Sequence, residues 1–180
     1  MTDNIALLKR AKAYDTAALA ELYDRYAPKM YAYIYRRVSD AALAEDLTSE
    51  LFVRVLRAIK NENAWRDSFT SWLYRIAHNL VVDHYRRRPP VAPLPLSESL
   101  MDRGDTPAVR AEHALAQESL LSAIRCLTPA QQEMLALRFG EGLTARETAQ
   151  VMQKTTGAVE ALQHRATAAL RRILMGERVP

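Results

Sequence analysis

Between positions 154 and 165 the chain reads KTTGAVEALQHR, and these side chains have the chemistry of a nucleic-acid reader. Gly157, Ala158 and Ala161 are small enough to let a helix approach base edges in the major groove, where each base pair shows its own donor and acceptor pattern. Lys154, Arg165, Arg171 and Arg172 suit phosphates, which fix register without reading sequence. Glu160 has two readings, an acceptor for cytosine N4 or a surface charge. His164 suits a phosphate or a structural hydrogen bond better than a metal ion.

A second such surface runs from Phe69 to Arg88. At ~100° per residue, Phe69, Trp72, Leu73, Ile76 and Leu80 fall on one side and read as core. Arg75, Asn79, Val82 and Arg86 fall on the other, ending in Arg86-Arg87-Arg88. Just upstream, Trp65, Arg66, Ser68 and Phe69 put aromatics and a cation in or beside a loop, an arrangement that suits stacked single-stranded bases. The alternative is a solvated helix end above an ordinary core, and for Trp72 that reading prevails. A third surface, Glu45, Asp46, Ser49, Glu50 and Phe52, lies beside a core stripe; it reads as a solvated face or a dock for a basic protein partner.

Catalysis finds little support. His78, His84, His113 and His164 form no ligand pair at helical spacing, no glycine-rich loop is available to cradle phosphates, and no nucleophile stands beside a base. The single Cys126 excludes an internal disulfide and a cysteine-based zinc site; placed before a helix cap, it reads as a buried small hydrophobe. Neither a signal peptide nor an apolar run of membrane-spanning length is evident, so a cytoplasmic protein is expected.

The elements that must position these surfaces are helices. Five glycines in 180 residues, abundant alanine and almost no strand-like alternation point to an all-α fold. Asp15 caps a helix whose Leu19, Leu22, Tyr26, Met30 and Tyr33 recur every three or four residues, with Pro28 expected to kink or restart it. A short helix near Ile5 to Tyr14 precedes it. Asp40 begins another helix, with Leu47, Leu51, Val55 and Ile59 on one face. Thr128-Pro129-Ala130-Gln131 and Thr144-Ala145-Arg146-Glu147 are capping boxes on either side of a Gly140-Glu141-Gly142 break, and Thr155 or Thr156 caps the last helix. Its packing stripe is Val159, Leu162, Ala166, Ala169, Leu170 and Ile173. A short helix, a tight turn and a longer basic helix make a helix-turn-helix.

Five prolines between Pro89 and Pro107 mark a linker. Two small helical domains are therefore expected, residues 1–88 and 112–180, joined by a flexible connector over 89–111. A helix carrying Leu115, Leu120, Leu121 and Ile124 resumes near Ala108. The net charge is +4 over residues 1–88, −2 over 89–127 and +2 over 128–180, two basic lobes flanking an acidic connector. Basic lobes suit a polyanion.

These segments, in this order, resemble a known family. AALAELYDRYAPKMYAYIYRRV, AEDLTSELFVRVLRAI and SFTSWLYRIAHNLVVDHYRRR are similar to region 2 of bacterial sigma factors of the extracytoplasmic-function (ECF) type. LTPAQQEMLALRFGEGLTARETAQVM and TTGAVEALQHRATAALRRIL are similar to their region 4. The resemblance implies a promoter-specificity subunit with no enzymatic site and no cofactor. It implies that Glu45, Asp46, Ser49, Glu50 and Phe52 dock on the β′ clamp helices of core RNA polymerase, with the β flap a second contact. Trp65, Arg66, Ser68 and Phe69, with Arg75, Asn79, Tyr85 and Arg86, would capture the melted minus-ten element. Lys154, Thr155, Thr156, Gly157, Ala158, Glu160, Ala161, His164, Arg165 and Arg171 would read the minus-thirty-five element as duplex. An anti-sigma factor is a further partner the resemblance allows. Three positions depart from the family pattern: Ser49 replaces a glutamine, Gln153 stands where the turn often has glycine, and Glu160 where many relatives carry lysine. The competing readings are a standalone helix-turn-helix regulator, which leaves Asp40 to Arg88 without a purpose, and a helical adaptor that binds no DNA.

Overall fold

The computed structural model describes residues 5–61, 68–87 and 107–176, the side chains of 87 and 107–115 excepted. The first lobe consists of α1 (Ile5–Lys12), α2 (Thr16–Val38), α3 (Ala41–Ala58) and α4 (Phe69–Arg87). The second consists of α5 (Pro107–Arg125), α6 (Pro129–Leu135), α7 (Ala145–Met152) and α8 (Thr156–Leu174), with α6 running on into a π-helical turn over Ala136–Gly140. The fold is all-α, with no strand among the described residues.

Local signals fix the helix starts. The Asp15 carboxylate accepts from the amides of Ala17 (3.0 Å) and Ala18 (3.2 Å), and Asp40 accepts from Leu43 (3.1 Å), so each satisfies amide donors that a helix start leaves orphaned. Thr128 and Gln131 close one reciprocal capping box, Thr144 and Glu147 the other. Thr155, not Thr156, caps α8, its hydroxyl accepting from Ala158 at 3.2 Å.

The first-lobe core is built from one stripe per helix: Leu22, Tyr26, Met30, Tyr33 and Ile34 of α2, Leu47, Leu51, Val55 and Ile59 around α3, and Phe69, Trp72, Leu73, Tyr74 and Leu80 of α4. Leu51 is completely buried at the centre of α3. Leu51→Ala should cost ~2–5 kcal/mol through lost transfer energy and a residual cavity. A fall of the thermal midpoint by less than about 4 °C would show the site collapsing around the truncation.

Several expectations need correcting. Pro28 does not restart α2, which continues unbroken for 23 residues. Its neighbours Tyr26, Ala27 and Met30 are all buried, and that packing outweighs the hydrogen bond proline forfeits. Cys126 is exposed, not buried, its thiol directed to the carbonyl of Ser122 at 3.5 Å; the buried position belongs to Leu127. Leu120 is also exposed, and Ala123 faces the core in its place. Helix α5 begins at Pro107, one residue ahead of the expected resumption near Ala108, because proline's fixed φ suits the first helical turn. Residues 89–106 of the expected connector lie outside the described residues.

The two lobes share a core. Leu137, Leu143 and Val151 of the second lobe pack with the first-lobe cluster. Leu127, Met134, Leu135, Ala149, Val159 and Ala166 form the second lobe's own core.

Candidate nucleic-acid interface

Helix α7, a three-residue turn and α8 form a helix-turn-helix. Gln153 ends α7 at φ 54°, ψ 44°, and the amides of Gln153 and Lys154 both return to the Ala149 carbonyl. This is the left-handed cap that glycine ordinarily fills, and a side chain there costs ~1 kcal/mol. Arg138 braces the unit from within, its guanidinium donating to the Leu143 carbonyl at 2.6 Å and to Gln163 at 3.2 Å. Val159 and Ala166 point inward, and Lys154, Thr155, Thr156, Gly157, Glu160, Ala161, His164, Arg165 and Arg171 are exposed, with Ala158 half-buried. The expected duplex-reading surface is therefore open along its length.

The α4 surface is arranged differently. Trp65 and Arg66 lie outside the described residues. Phe69 is only 1% exposed, its ring 5.4 Å from Tyr26 and 5.7 Å from Trp72, so it belongs to the core and offers no face to a base. Arg75 is half-buried and Arg86 exposed. Tyr85 donates its hydroxyl to the Arg37 carbonyl, a tie between α4 and α2. Asn79 does not face solvent alone: its side-chain oxygen accepts from Gln153 at 3.1 Å. Ser71 bonds Gln150 at 2.9 Å, and Ser68 is among the groups that hold the Glu147 carboxyl below its ordinary value. One side of α4 thus lies against α7 of the helix-turn-helix.

Two carboxylates of the second lobe anchor that contact. Glu133 accepts from the Tyr33 hydroxyl (2.8 Å) and from Arg37 Nη2 (2.7 Å), with His78 Nδ1 at 3.3 Å. Arg37 also lies 3.5 Å from the centre of the Tyr33 ring and donates to the Tyr33 carbonyl at 2.8 Å. Glu141 pairs with Arg36 and accepts from the Tyr74 hydroxyl at 2.5 Å. Burial alone would raise the Glu133 pKa, but Arg37 and His78 outweigh it and hold the carboxyl at about 2. Burial, reinforced by the neighbouring Glu141, pushes the Tyr74 hydroxyl well above its ordinary value.

That depression has a pH signature. The folded value of Glu133 lies below the ordinary 4.5, so its contribution is complete above pH 4.5 and drains away as the pH falls towards 2. Between these limits the near-ultraviolet tyrosine signal should change in the parent chain more than in Glu133→Gln. Identical acid profiles for the two would exclude Glu133 as the titrating group.

On α3, Glu45, Asp46, Ser49 and Glu50 are exposed and Phe52 is half-buried. Beside them is an apolar patch that the sequence did not single out. Tyr23 packs on Phe52 at 4.7 Å and is 49% exposed, with Val53 and Leu56 also exposed. Tyr23 lies on a different helix, so only the i,i+3 relation of Val53 and Leu56 could have signalled the patch. Among the described residues there is no cluster of side chains placed to hold a metal ion, and no helix is long and apolar enough to cross a membrane.

The first lobe thus carries an acidic-apolar face and the second a helix-turn-helix. Residues 22–89 match Sigma-70 region 2, and residues 123–172 match Sigma-70, region 4. The chain is 42% identical over 171 residues to the ECF RNA polymerase sigma factor BldN of Streptomyces coelicolor, covering 93% of this chain and 64% of that protein's length. It is 27% identical over 177 residues to the ECF RNA polymerase sigma factor SigW of Bacillus subtilis, covering 93% of this chain and 94% of the relative. The solved structure of CnrH in complex with the cytosolic domain of CnrY shares the fold, with a TM-score of 0.62 at 24% identity over 96% of this chain and 97% of that one. The chain belongs to the ECF sigma factors of the sigma-70 family.

Proposed function

We propose that this chain is a promoter-specificity subunit that binds bacterial core RNA polymerase and directs promoter recognition, melting and initiation. The observation that carries this reading is the pairing, in one chain and in family order, of a region 2 lobe with a region 4 helix-turn-helix whose α8 reading face stands open. Glu45, Asp46, Ser49, Glu50 and Phe52, extended by the apolar patch of Tyr23, Val53 and Leu56, form the dock for the β′ clamp helices, and region 4 meets the β flap. Arg75, Asn79 and Arg86 belong to the minus-ten reader, together with Ser68 and the loop that contains Trp65 and Arg66. Tyr85 and Phe69 support that surface from behind. The exposed start of α8 reads the minus-thirty-five duplex.

Duplex binding by α8 fixes the register. The α4 face then holds bases that leave the stack, each unstacking step costing a few kcal/mol and each stacked base returning ~1–3 kcal/mol. Polymerase holds the two readers at a set spacing, which turns two weak contacts into one specific one by raising effective concentration. The chain supplies recognition while polymerase performs the chemistry, inside the cytoplasm where the promoter lies; an anti-sigma factor is a natural further partner.

Run-off transcription with purified bacterial core polymerase on a genomic promoter library tests the proposal. Defined new start sites that depend on the chain are expected. Duplex binding without start sites and without a stable core complex would favour a standalone regulator.

A further inference from the structure

The C-terminal ends of α1 and α3 meet in a cluster of cations that lies outside the three surfaces described above. Lys9, Arg10 and Lys12 occupy the last turn of α1, Arg57 the last turn of α3, and Lys60 follows just beyond it. Lys9, Arg10, Arg57 and Lys60 are exposed. Tyr14 joins the two ends. Its hydroxyl donates to the Leu56 carbonyl at 2.7 Å, and the Lys60 ammonium stands 4.2 Å from the centre of its ring. The neighbouring Asp15 carboxylate is taken up by Arg10 at 2.7 Å and by the first amides of α2.

The backbone at Tyr14 is costly. Its φ is 59°, in the left-handed region that a bulky residue rarely enters and that glycine enters freely. The aromatic ring is thus kept against a local preference, as strained positions are where the surroundings over-determine them. It is 42% exposed, so part of it stands open beside the cations. Helix dipoles account for a cation in the last turn of each helix. They do not account for an open ring set among cations from two helices, an arrangement that suits the phosphates and bases of a single strand.

Charge also reverses along α3. Glu45, Asp46 and Glu50 fill its first half, where the dock for a basic surface is proposed, and Arg54, Arg57 and Lys60 follow. The basic end repels the partner that the acidic end attracts, so the two ends face different partners. Lys60 stands five positions ahead of Trp65, so no more than about 18 Å can separate their backbones. A single strand that continues a few nucleotides beyond the minus-ten loop reaches the cluster.

We infer that Lys9, Tyr14, Arg57 and Lys60 form a further single-strand track, which holds the melted strand where it runs on from the minus-ten reader. The inference rests on the sigma-factor reading, from which it takes the place of that reader. The three cations hold backbone phosphates, and the open part of the Tyr14 ring receives a base. Phosphates carry no sequence, so the track adds affinity without adding base preference.

The test titrates holoenzyme, assembled from this chain and bacterial core polymerase, with single-stranded oligonucleotides. Their minus-ten element comes from the start sites mapped by run-off transcription. One oligonucleotide ends at the element, and two others continue past its 5′ or its 3′ end by a few thymidines. One extension should tighten binding at least ~5-fold, the lower bound for a single stacked base. Arg57→Gln with Lys60→Gln should abolish that gain. It should also flatten the dependence of log affinity on log salt by about 1.4, the value for two phosphates of a single strand. The unextended oligonucleotide should bind parent and variant alike. The exchange Arg57→Lys with Lys60→Arg keeps both charges and should keep the gain, which separates phosphate contact from a fault in the fold.

No gain from either extension, a gain that the Gln variant retains, or one that the exchange loses would overturn the track and leave the sigma-factor reading standing. Loss of the core complex in the Gln variant would place Arg57 and Lys60 against polymerase, and would overturn the track as well. A parent chain that forms no complex with core polymerase would overturn both.

Discussion

Arg75→Ala combined with Asn79→Ala will leave the chain bound to core polymerase and cut promoter opening by at least ~10-fold, each lost charged or hydrogen-bonding contact being worth ~1–3 kcal/mol. The two residues lie one helical turn apart on α4, on the side away from Phe69, Leu73 and Leu80, and neither is part of the α3 surface proposed to dock on the clamp. Removing Asn79 also breaks its bond to Gln153, a contact within the free chain that by itself has no part in promoter melting. The defect of the double variant must therefore appear in the melting step, after the polymerase complex has formed. Co-purification with core polymerase and permanganate footprinting of melted promoter measure the two steps separately. Loss of core binding would reassign this face of α4 from DNA to polymerase.

Arg37→Ala should be the most damaging single change at the junction. It strips Glu133 of its guanidinium and leaves a part-buried carboxylate with only Tyr33 and His78. Removing one member of a buried pair costs ~3–5 kcal/mol, most of it the penalty of the charge left behind. The stacking of Arg37 over the Tyr33 ring is lost as well. Replacing both members by apolar groups removes that penalty, so Arg37→Met with Glu133→Leu should recover most of the stability. A double-mutant cycle in denaturant unfolding gives the coupling directly. A coupling below about 0.5 kcal/mol would mean the pair is solvated in practice and contributes as little as an ordinary surface bridge.

How far the sequence discloses this molecule depends on the range of the interactions involved. Helix starts at Asp15, Asp40, Thr128, Thr144 and Thr155 are legible because the capping groups lie within three residues of the amides they satisfy. The left-handed turn at Gln153 was signalled only through the resemblance, which sets glycine there. Errors arose where packing overrode a local preference, as at Pro28, or where a one-residue shift exchanged Cys126 for Leu127 at the buried position. The junction was not legible at all. Glu133 meets Arg37 across 96 positions and Glu141 meets Arg36 across 105, and no periodicity in either segment signals the other. The face of α4 was correctly separated from the core, but helical phase cannot tell a face waiting for DNA from one covered by another lobe.

The partial burial of the junction sets how the chain answers to ionic strength. Arg37 and Glu133 retain only 14% and 18% of their side-chain exposure, so mobile ions screen them far less than they screen surface charges. Phosphate contacts of the kind proposed for Lys154, Arg165 and Arg171 on the exposed face of α8 would weaken steeply with added salt, because binding there releases condensed counterions. The two behaviours should diverge as salt rises, duplex DNA leaving while the Arg37–Glu133 pair holds. A preparation eluted in concentrated salt should thus be free of duplex DNA with the Arg37–Glu133 junction intact, and dilution should restore duplex affinity without disturbing it.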